Sequence, residues 1–461
     1  MYIATAPELT PRFDPSITDY ITRCGDAPIQ VSVFGPADAS VSVDRRVVTP
    51  GTSTDVTILA GQAFPIDVTL AGGVTKNYFV RCLPGDFPQF DAERPHTPQA
   101  EWYVAAPWGM ANFQPVPPGT STQFVGVFDN RGVPLWWRKS TSAAGPLDAK
   151  LLPNGNLAWL HFASDQTGAG GGSEERRLDG TLVRSLQTVG SPVDHHEYLL
   201  LPNGNYAMGR YFPLAGVDLS ACGGPPSGVV TDNDIQEIAP DGSLVWSWLA
   251  SEHIALSELA WAQSCSPEEE QHDIYHWNSI EPDGDAFIVS FRHLNAVYKI
   301  ARSGDIVWKL GGSTRPESLT VVGDPIVAAG GSLFGGQHDA RLLPDRTLTV
   351  HDNRTNQPDD TPRAVRFLVD EALRTATLVE SVTDAAADFS LCCGSARKLP
   401  TGNWVMAWGA KPHVTELAPD GSLVFRLNFT QDMFTYRAHP VMPGVLGRAA
   451  LRAGMEAQNP R

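Results

Sequence analysis

The sequence predicts an all-β protein: a six-bladed β-propeller preceded by an immunoglobulin- or cadherin-like β-sandwich. The composition is typical of short strands joined by many turns, with 42 glycines, 37 prolines and only 18% charged residues in 461. A unit of four short apolar runs, separated by turn residues, recurs along most of the chain. Such recurrence indicates a repeat architecture, and four strands per unit is typical of propeller blades.

The clearest repeat unit spans residues 271–312. Its four apolar runs have the length of strands and lie between turn signals. The Asp283–Gly284 and Ser303–Gly304 pairs are typical of tight hairpin turns, and Trp308 follows the second glycine by four residues. The unit therefore predicts one four-stranded antiparallel blade.

Six such units fill residues 101–461, and their outer hairpins repeat a glycine followed four residues later by an aromatic residue. Such aromatics most simply fill the gaps between blades. The pairs are Gly132 with Trp136, Gly242 with Trp246, Gly304 with Trp308, and Gly421 with Phe425. Residues 433–441 are predicted to form a last strand that pairs back onto the first unit, since closure removes exposed edge strands.

Residues 1–90 are predicted to form a separate domain. They contain short runs of alternating apolar residues with turn residues between them, the pattern of a β-sandwich of about seven strands. This stretch shows no catalytic constellation. Residues 91–100 are predicted to be a linker, because four prolines lie in this stretch and just before it.

The six cysteines predict disulfide bonds. They are even in number and form no CxxC pattern, in a chain rich in glycine and proline. Cys24 and Cys82 lie at strand positions of the same small domain and are the first predicted pair. Cys222 and Cys265 lie in two long insertions near the third-to-fourth unit boundary and are the second. Six buried thiols remain the alternative.

Charge and cysteine usage limit the partners and the location. The net charge of −17 argues against nucleic acid or an anionic membrane as a partner. No apolar run approaches the roughly 20 residues that span a bilayer. The N-terminus lacks a basic region followed by an apolar core, so we expect either a cytosolic protein or a processed chain. The cysteines favour the second, a secreted or periplasmic protein, and nothing indicates its oligomeric state.

A histidine occupies the same register in three adjacent units. His196, His276 and His338 each stand six residues before the proline of a turn, where two other units hold leucine and glycine. A purely structural role would favour one residue type in every unit. Because the first strand of each blade lines the central channel, the three histidines are expected to converge there. Arg292, in the second strand of the middle unit, can reach the same place.

These residue types favour the binding of an anion over that of a metal. Three imidazoles could hold zinc, but the permanent charge of Arg292 repels a cation and suits a tetrahedral oxyanion. We therefore predict no metal. Two alternatives stay open: a hydrolase or lyase with a metal at the channel histidines, and a secreted binding module whose histidines are structural.

Four stretches carry a resemblance to a known family. They read HWNSIEPDGDAFIVSFRHLNAVYKI, GDIVWKLGG, FGGQHDARLLPDRTLTVHDN and HHEYLLLPNGNY. With them, residues from about 100 to 450 resemble the bacterial arylsulfotransferases that are independent of the nucleotide sulfate donor. The resemblance implies a six-bladed propeller with an N-terminal β-domain. It also implies ping-pong transfer of a sulfuryl group from a small aryl sulfate to a phenol, with no cofactor.

The resemblance also implies roles for individual residues. His338 is expected to be the nucleophile that is transiently sulfated, with His196, His276 and Arg292 handling the sulfuryl group. Strand alternation is expected to point His195 away from the channel, which favours His196. No phosphonucleotide loop is present. The candidate substrate-binding residues are Asn278, His293, Gln337, Arg341 and His195.

Overall fold

The computed structural model describes residues 1–36, 38–111, 114–115, 123–140, 145–163, 169–409, 411–429 and 433–461. In this part of the chain almost all regular structure is β-strand, which confirms the predicted all-β class. The α-helices are α1 (Ala250–His253), α2 (Pro325–Ala328) and α3 (Arg448–Gln458). The 3-10 turns are Ser220–Cys222, Leu256–Glu258, Ala262–Cys265 and Arg292–Leu294.

The N-terminal unit contains two sheets. Its strands are β1 (Tyr2–Ala6), β2 (Asp19–Arg23), β3 (Ile29–Phe34), β4 (Ser40–Val43), β5 (Arg46–Val48), β6 (Ser53–Val56), β7 (Ala63–Thr69) and β8 (Thr75–Leu83). One sheet has the order β1-β3-β6 and the other β2-β8-β7-β4-β5. Alternate residues along β3 and β7 are buried, as expected for strands with one face toward a core. The predicted Cys24–Cys82 disulfide is present.

The stretch predicted to be a linker contains a strand. β9 (Phe90–Glu93) forms an antiparallel ladder with residues 426–429, near the far end of the chain. The prediction of a linker over 91–100 is therefore wrong at its start. The reason is that prolines at positions 88 and 95 flank this strand without interrupting its backbone hydrogen bonds.

In the described part of the chain six further sheets follow in chain order, each built around four consecutive strands that pair antiparallel. Sheet 1 contains β10 (Trp102–Ala111), β11 (Gln114–Pro115), β12 (Phe124–Asp129) and β13 (Pro134–Lys139). Sheet 2 contains β14 (Pro146–Leu151), β15 (Leu157–His161), β16 (Gly172–Arg176) and β17 (Leu182–Arg184). Sheet 3 contains β18 (Tyr198–Leu200), β19 (Tyr206–Val217), β20 (Gly228–Ile238) and β21 (Leu244–Leu249), with β22 (His272–Asp273) beside β20.

The second half of the chain repeats this plan. Sheet 4 contains β23 (Trp277–Pro282), β24 (Ala286–Phe291), β25 (Ala296–Ala301) and β26 (Ile306–Gly311). Sheet 5 contains β28 (His338–Leu342), β29 (Thr347–Asp352), β30 (Arg363–Asp370) and β31 (Thr375–Val382), with β27 (Thr320–Val322) beside β31. Sheet 6 contains β32 (Ser395–Lys398), β33 (Trp404–Ala407), β34 (His413–Leu417) and β35 (Leu423–Phe429), with β9 at its edge.

The end of the chain returns to sheet 1. β36 (Met433–Val441) pairs antiparallel with β10, from Trp102 opposite Val441 to Gly109 opposite Met433, as predicted. Tyr103 of sheet 1 stacks on Phe425 of sheet 6 with ring centroids 4.8 Å apart. The last sheet therefore contacts the first, and the row of sheets closes on itself.

The repeated aromatic residues join neighbouring sheets. The indole Nε1 of Trp136 donates a hydrogen bond to Leu178 O in the outer turn of sheet 2. Trp246 of sheet 3 donates to Arg302 O in the outer turn of sheet 4. Each indole thus adds a directed hydrogen bond to its packing. The predicted role of these residues, filling the space between successive units, is confirmed for these two.

The long insertions are tied together by the second predicted disulfide. Cys222 in a 3-10 turn after β19 bonds to Cys265 in a 3-10 turn after α1, which confirms that pairing. α3 follows β36 and packs on β13 through Leu451 and Met455, which share one helix face at a spacing of four residues. None of the described helices is long and apolar enough to cross a membrane.

Charged side chains meet where the first strands of the six sheets come together. Each of the six sheets contributes at least one member, all but Glu281 and Arg397 nearly inaccessible to solvent. We call this set the inner charge network. Its members are Asp148, Lys150, Glu197, Glu281, Asp339, Arg341, Arg397 and Arg437.

Arg437 of β36 lies at the centre of this network. Its guanidinium bonds Asp148 of sheet 2 at 2.6 Å and Glu197, beside sheet 3, at 3.3 Å. It also donates to the carbonyl oxygens of His196 and Asn278. Burial would raise the pKa of Glu197, but Arg341, Lys150 and Arg437 outweigh burial and hold that pKa well below its usual value. The carboxylate is therefore charged in the folded protein.

Removing Arg437 should destabilise the protein strongly. Arg437→Met removes one cation that buried carboxylates share, and breaking a buried ion pair by removing one partner typically costs about 3–5 kcal/mol of folding free energy. Lys139→Met is the matched control, because it breaks the exposed pair with Asp86 and should cost less than about 1 kcal/mol. Urea unfolding followed by tryptophan fluorescence measures both. Equal, small losses in the two variants would contradict the role given to the network.

Candidate active site

The three register-matched histidines lie at the starts of the first strands of sheets 3, 4 and 5. His276 immediately precedes β23, and His196 stands two residues before the start of β18. His338 is the first residue of β28. The register of β28 shifts between His338 and Arg341, and Asp339 has a φ of 57°. A bulge of this kind turns two consecutive side chains toward the interior. His338 joins the histidines while Asp339 joins the inner charge network.

His196 is held by a carboxylate. Its Nδ1 lies 2.7 and 2.9 Å from the two carboxylate oxygens of Asp194, and its backbone N–H donates to the same side chain. Its ring centroid lies 5.3 Å from that of His276. The two predicted histidines are therefore neighbours, as the shared register indicates.

His276 and His293 share a second carboxylate residue. Nδ1 of His276 hydrogen-bonds the carboxylate of Asp273, and Nδ1–H of His293 donates to the backbone carbonyl of the same residue at 2.8 Å. The two ring centroids lie 4.6 Å apart. His293 therefore belongs to the cluster and supports its neighbours.

His338 has no carboxylate at Nδ1. That nitrogen lies 2.9 Å from the carbonyl oxygen of Gly336 and 2.8 Å from Oδ1 of Asn353, so it carries the proton. Nε2 accepts a hydrogen bond of 3.1 Å from the backbone N–H of Cys393. The lone pair on Nε2 is the nucleophilic one in this tautomer.

Arg292 supplies a permanent positive charge. It lies in the 3-10 turn directly after β24, and its guanidinium carbon stands 4.1 Å from the ring centre of Trp261. One terminal nitrogen contacts Nε2 of His293 at 2.8 Å and the other donates to Leu391 O. Its Nε is buried and has no hydrogen-bond partner. The charge also lowers the pKa of His338, behind burial as the main cause.

The remaining predicted residues divide into two groups. Asn278 donates to Gln337 O at 2.8 Å, and the buried side-chain oxygens of both residues have no partner, while the amide nitrogen of Gln337 donates to carbonyl oxygens of sheet 4. Arg341 is turned away, because Glu197, Asp339 and the carbonyl of Ile280 accept its donors. We therefore correct its role from substrate binding to the inner charge network.

His195 differs from the expectation based on strand alternation. β18 begins only at Tyr198, so residue 195 lies outside the strand and alternation does not apply to it. Its ring stacks on His196 at 4.1 Å and on Phe162 at 4.9 Å. His195 thus lies at the cluster rather than away from it.

A set of apolar side chains, here called the aromatic wall, borders the cluster on the side of His195. Tyr436 has a buried hydroxyl without a hydrogen-bond partner, and its ring centre is 5.7 Å from that of His196. This apolar wall next to the imidazoles suits an aromatic group. Its members are Trp108, Leu147, Phe162, Phe434 and Tyr436.

The pKa values show that the imidazoles are neutral near pH 7. Burial is the main cause, and it lowers the pKa of His195, His196 and His293 to about 3. Burial also lowers the pKa of His276 and of His338 well below the usual value. The cluster therefore combines neutral nitrogen bases with one permanent cation.

Sequence reasoning missed the side chains that hold the histidines. Asp194 precedes His196 by two residues and Asp273 precedes His276 by three, so both were visible as neighbours. Asn353 is fifteen residues from His338, and only the pairing of β28 with β29 brings it close. A carboxylate near a histidine in sequence was an available signal, whereas the asparagine gave none.

Two groups have the residue types of a metal site. They are Asp194 with His195 and His196, and Asp273 with His276 and His293, each with ligand atoms within 4.8 Å of one another. In both groups the carboxylate already accepts a hydrogen bond from a histidine Nδ1. This is the arrangement that orients an imidazole for proton transfer.

Family comparison identifies the chemistry of this site. The family model described as arylsulfotransferase (ASST) matches residues 175–430, more than half of the chain and all the clustered histidines. The chain belongs to the arylsulfotransferase family. Sulfuryl transfer is therefore its general chemistry. No curated protein matches the chain in sequence.

Three solved structures are similar to this chain at low sequence identity. A Bacteroides caccae protein of unknown function is 11% identical over 74% of this chain and 99% of its own, with a TM-score of 0.45. The Pseudomonas aeruginosa periplasmic gluconolactonase is 14% identical over 72% and 96%, with a TM-score of 0.38. A streptogramin B lyase is 10% identical over 93% and 98%, with a TM-score of 0.34.

The site should bind inorganic sulfate through Arg292. A charge-assisted hydrogen bond contributes about 1.5–3 kcal/mol, so Arg292→Ala should weaken sulfate binding by roughly 10-fold or more. Arg346→Ala removes an exposed guanidinium from the turn between β28 and β29 and should leave binding unchanged. Isothermal titration with sulfate, and separately with Zn²⁺, measures both affinities. Zinc binding that Arg292→Ala strengthens, with no sulfate binding, would favour a metal site instead.

Proposed function

We propose that this arylsulfotransferase moves a sulfuryl group from an aryl sulfate ester to a phenolic acceptor by a ping-pong route through a sulfated His338. The observation that carries the proposal is the meeting of His196, His276, His338 and Arg292 at one buried place. These side chains come from three successive sheets. The same four positions carry the resemblance noted in the sequence.

The first half-reaction forms one bond and breaks another. Nε2 of His338 leaves its hydrogen bond with the Cys393 N–H and attacks sulfur, the nitrogen–sulfur bond forms, and the bond from sulfur to the aryl oxygen breaks. One of the two carboxylate-paired histidines, His196 or His276, first takes up a proton from solvent at Nε2 and then gives that proton to the departing oxygen. Arg292 stabilises the negative charge on the sulfuryl oxygens.

The second half-reaction reverses these roles. The same histidine removes the proton from the acceptor hydroxyl, whose oxygen attacks the sulfur on His338. The nitrogen–sulfur bond breaks and His338 returns to its neutral state. We propose that Asn278, Gln337, His293 and His195 bind substrate. The aromatic wall around Tyr436 would hold the ring of the donor and then of the acceptor.

We further propose the architecture and location that suit this function. The six consecutive four-stranded sheets support a six-bladed propeller over residues 101–461. The two sheets of residues 1–90 support an N-terminal sandwich domain. Two disulfide bonds support an extracytoplasmic location, because such bonds persist in oxidising compartments.

The ping-pong route predicts a burst. Wild-type protein given an aryl sulfate without acceptor should release about one equivalent of phenol rapidly, because the sulfuryl group stays on the protein. His338→Ala should abolish the burst. Arg292→Ala should retain it but slow it by on the order of 10²-fold, as loss of a charge donor does.

Stopped-flow absorbance with a chromogenic aryl sulfate measures the burst, and mass spectrometry after a rapid quench locates the sulfuryl group. Lys139→Met serves as a control far from the site and should behave as wild type. A burst that persists in His338→Ala, or a sulfuryl group on another residue, would rule out His338 as the nucleophile.

A further inference from the structure

The three histidines of the site differ in what holds Nδ1. Asp194 holds His196 and Asp273 holds His276, so each of these imidazoles faces a carboxylate. His338 faces only neutral acceptors, the side-chain amide of Asn353 and a backbone carbonyl. A carboxylate stabilises an imidazolium, whereas an amide oxygen does so much less.

Asn353 is itself fixed by its surroundings. It follows β29 directly and is completely buried. Its Nδ2 donates to Oγ of Ser390 at 2.7 Å and to the carbonyl oxygen of Cys393 at 3.0 Å. Because both amide protons are used there, Oδ1 is the atom that faces His338, and it can only accept a hydrogen bond.

The segment 390–393 connects this contact to the other reacting groups. The carbonyl oxygen of Cys393 accepts a hydrogen bond from the side-chain amide of Asn353, and the N–H of Cys393 donates to Nε2 of His338. Leu391, two residues earlier, accepts a hydrogen bond from Arg292. The orientation of the Asn353 amide is thus fixed by the same short segment that contacts the nucleophile and the arginine.

We propose that Asn353 is the positioning residue of His338: together with the Gly336 carbonyl and the Cys393 N–H, its Oδ1 holds the imidazole as the Nδ1–H tautomer, with the lone pair on Nε2. This deepens the function proposed above and rests on it, since His338 must be the nucleophile. The proton stays on Nδ1 while the Nε2–sulfur bond forms and the sulfur–oxygen bond breaks. An amide fits this task because the attacking imidazole must start neutral, and a carboxylate would favour its protonated form.

Exchanging the amide for a carboxylate tests this directly. In Asn353→Asp the new charge should raise the pKa of His338 by about one to three units. A raised pKa leaves more imidazolium at a given pH, so burst activity should be lost as pH falls and recover as pH rises. The acid limb of the burst's pH profile should therefore move up by about one to three pH units relative to wild type, and above that limb the two rates should agree.

Two further variants separate positioning from a loss of structure. Asn353→Leu removes the acceptor at similar volume and should slow the burst about 10- to 100-fold at every pH, in the range found for supporting partners of a histidine. Asn356→Asp adds the same charge three residues away on the surface and should leave the pH profile unchanged. A uniform loss in Asn353→Asp, with no shift in the pH profile, would overturn the proposal.

A readout without substrate distinguishes this inference from the proposed function. Long-range ¹H–¹⁵N spectra of protein with labelled histidines, with His338 assigned through His338→Gln, report which nitrogen carries the proton. We expect Nδ1–H in wild type and a shifted Nδ1–H resonance in Asn353→Leu, which loses the amide acceptor but keeps the contacts of His338 with Gly336 O and the Cys393 N–H. An Nε2–H tautomer in wild type, or an unchanged spectrum in Asn353→Leu, would refute the role of Asn353. A correct tautomer without any burst would refute the sulfuryl transfer alone.

Discussion

The inner charge network is the constraint on which the site depends. Buried ion pairs add little net stability, but a missing partner is costly, so such a network selects one arrangement of the groups that form it. Here Arg437 comes from β36 of sheet 1, Glu197 lies just before sheet 3, and the other partners come from the first strands of sheets 2, 4, 5 and 6. The sheets must keep a common height for the pairs to form. His196 and His338 each precede a network carboxylate by one residue. The network therefore sets the height of the histidines as well.

Burial away from water then sets the protonation state of the clustered histidines. Burial keeps the imidazoles uncharged, whereas a guanidinium keeps its charge in almost any environment. A neutral nucleophile beside a fixed cation suits the transfer of a group that carries negative charge. The nature of each partner at Nδ1 then separates the histidines further: in the mechanism proposed above, carboxylates suit proton exchange at His196 and His276, and an amide suits attack by His338.

Much of this arrangement could be predicted from the sequence, and the failures have physical causes. The repeat period predicted the succession of sheets. The shared register predicted that three histidines lie at equivalent places in successive sheets, because equivalent positions in a repeat do so. Arg341 was misplaced because the bulge in β28 redirects the side chains that follow His338. Asn353 was missed because its contact depends on strand pairing. β9 was missed because prolines on either side of a short strand resemble a linker.

The pairing of β36 with β10 has a consequence for how the protein is made. Ribosomes add residues from the N-terminus, so β10 emerges more than three hundred residues before the strand that completes its sheet. Arg437, which joins the carboxylates of the other sheets, belongs to that late strand. Throughout most of translation the nascent chain therefore contains the carboxylates that the network buries but lacks Arg437. The inner charge network can therefore be completed only after translation of this last strand.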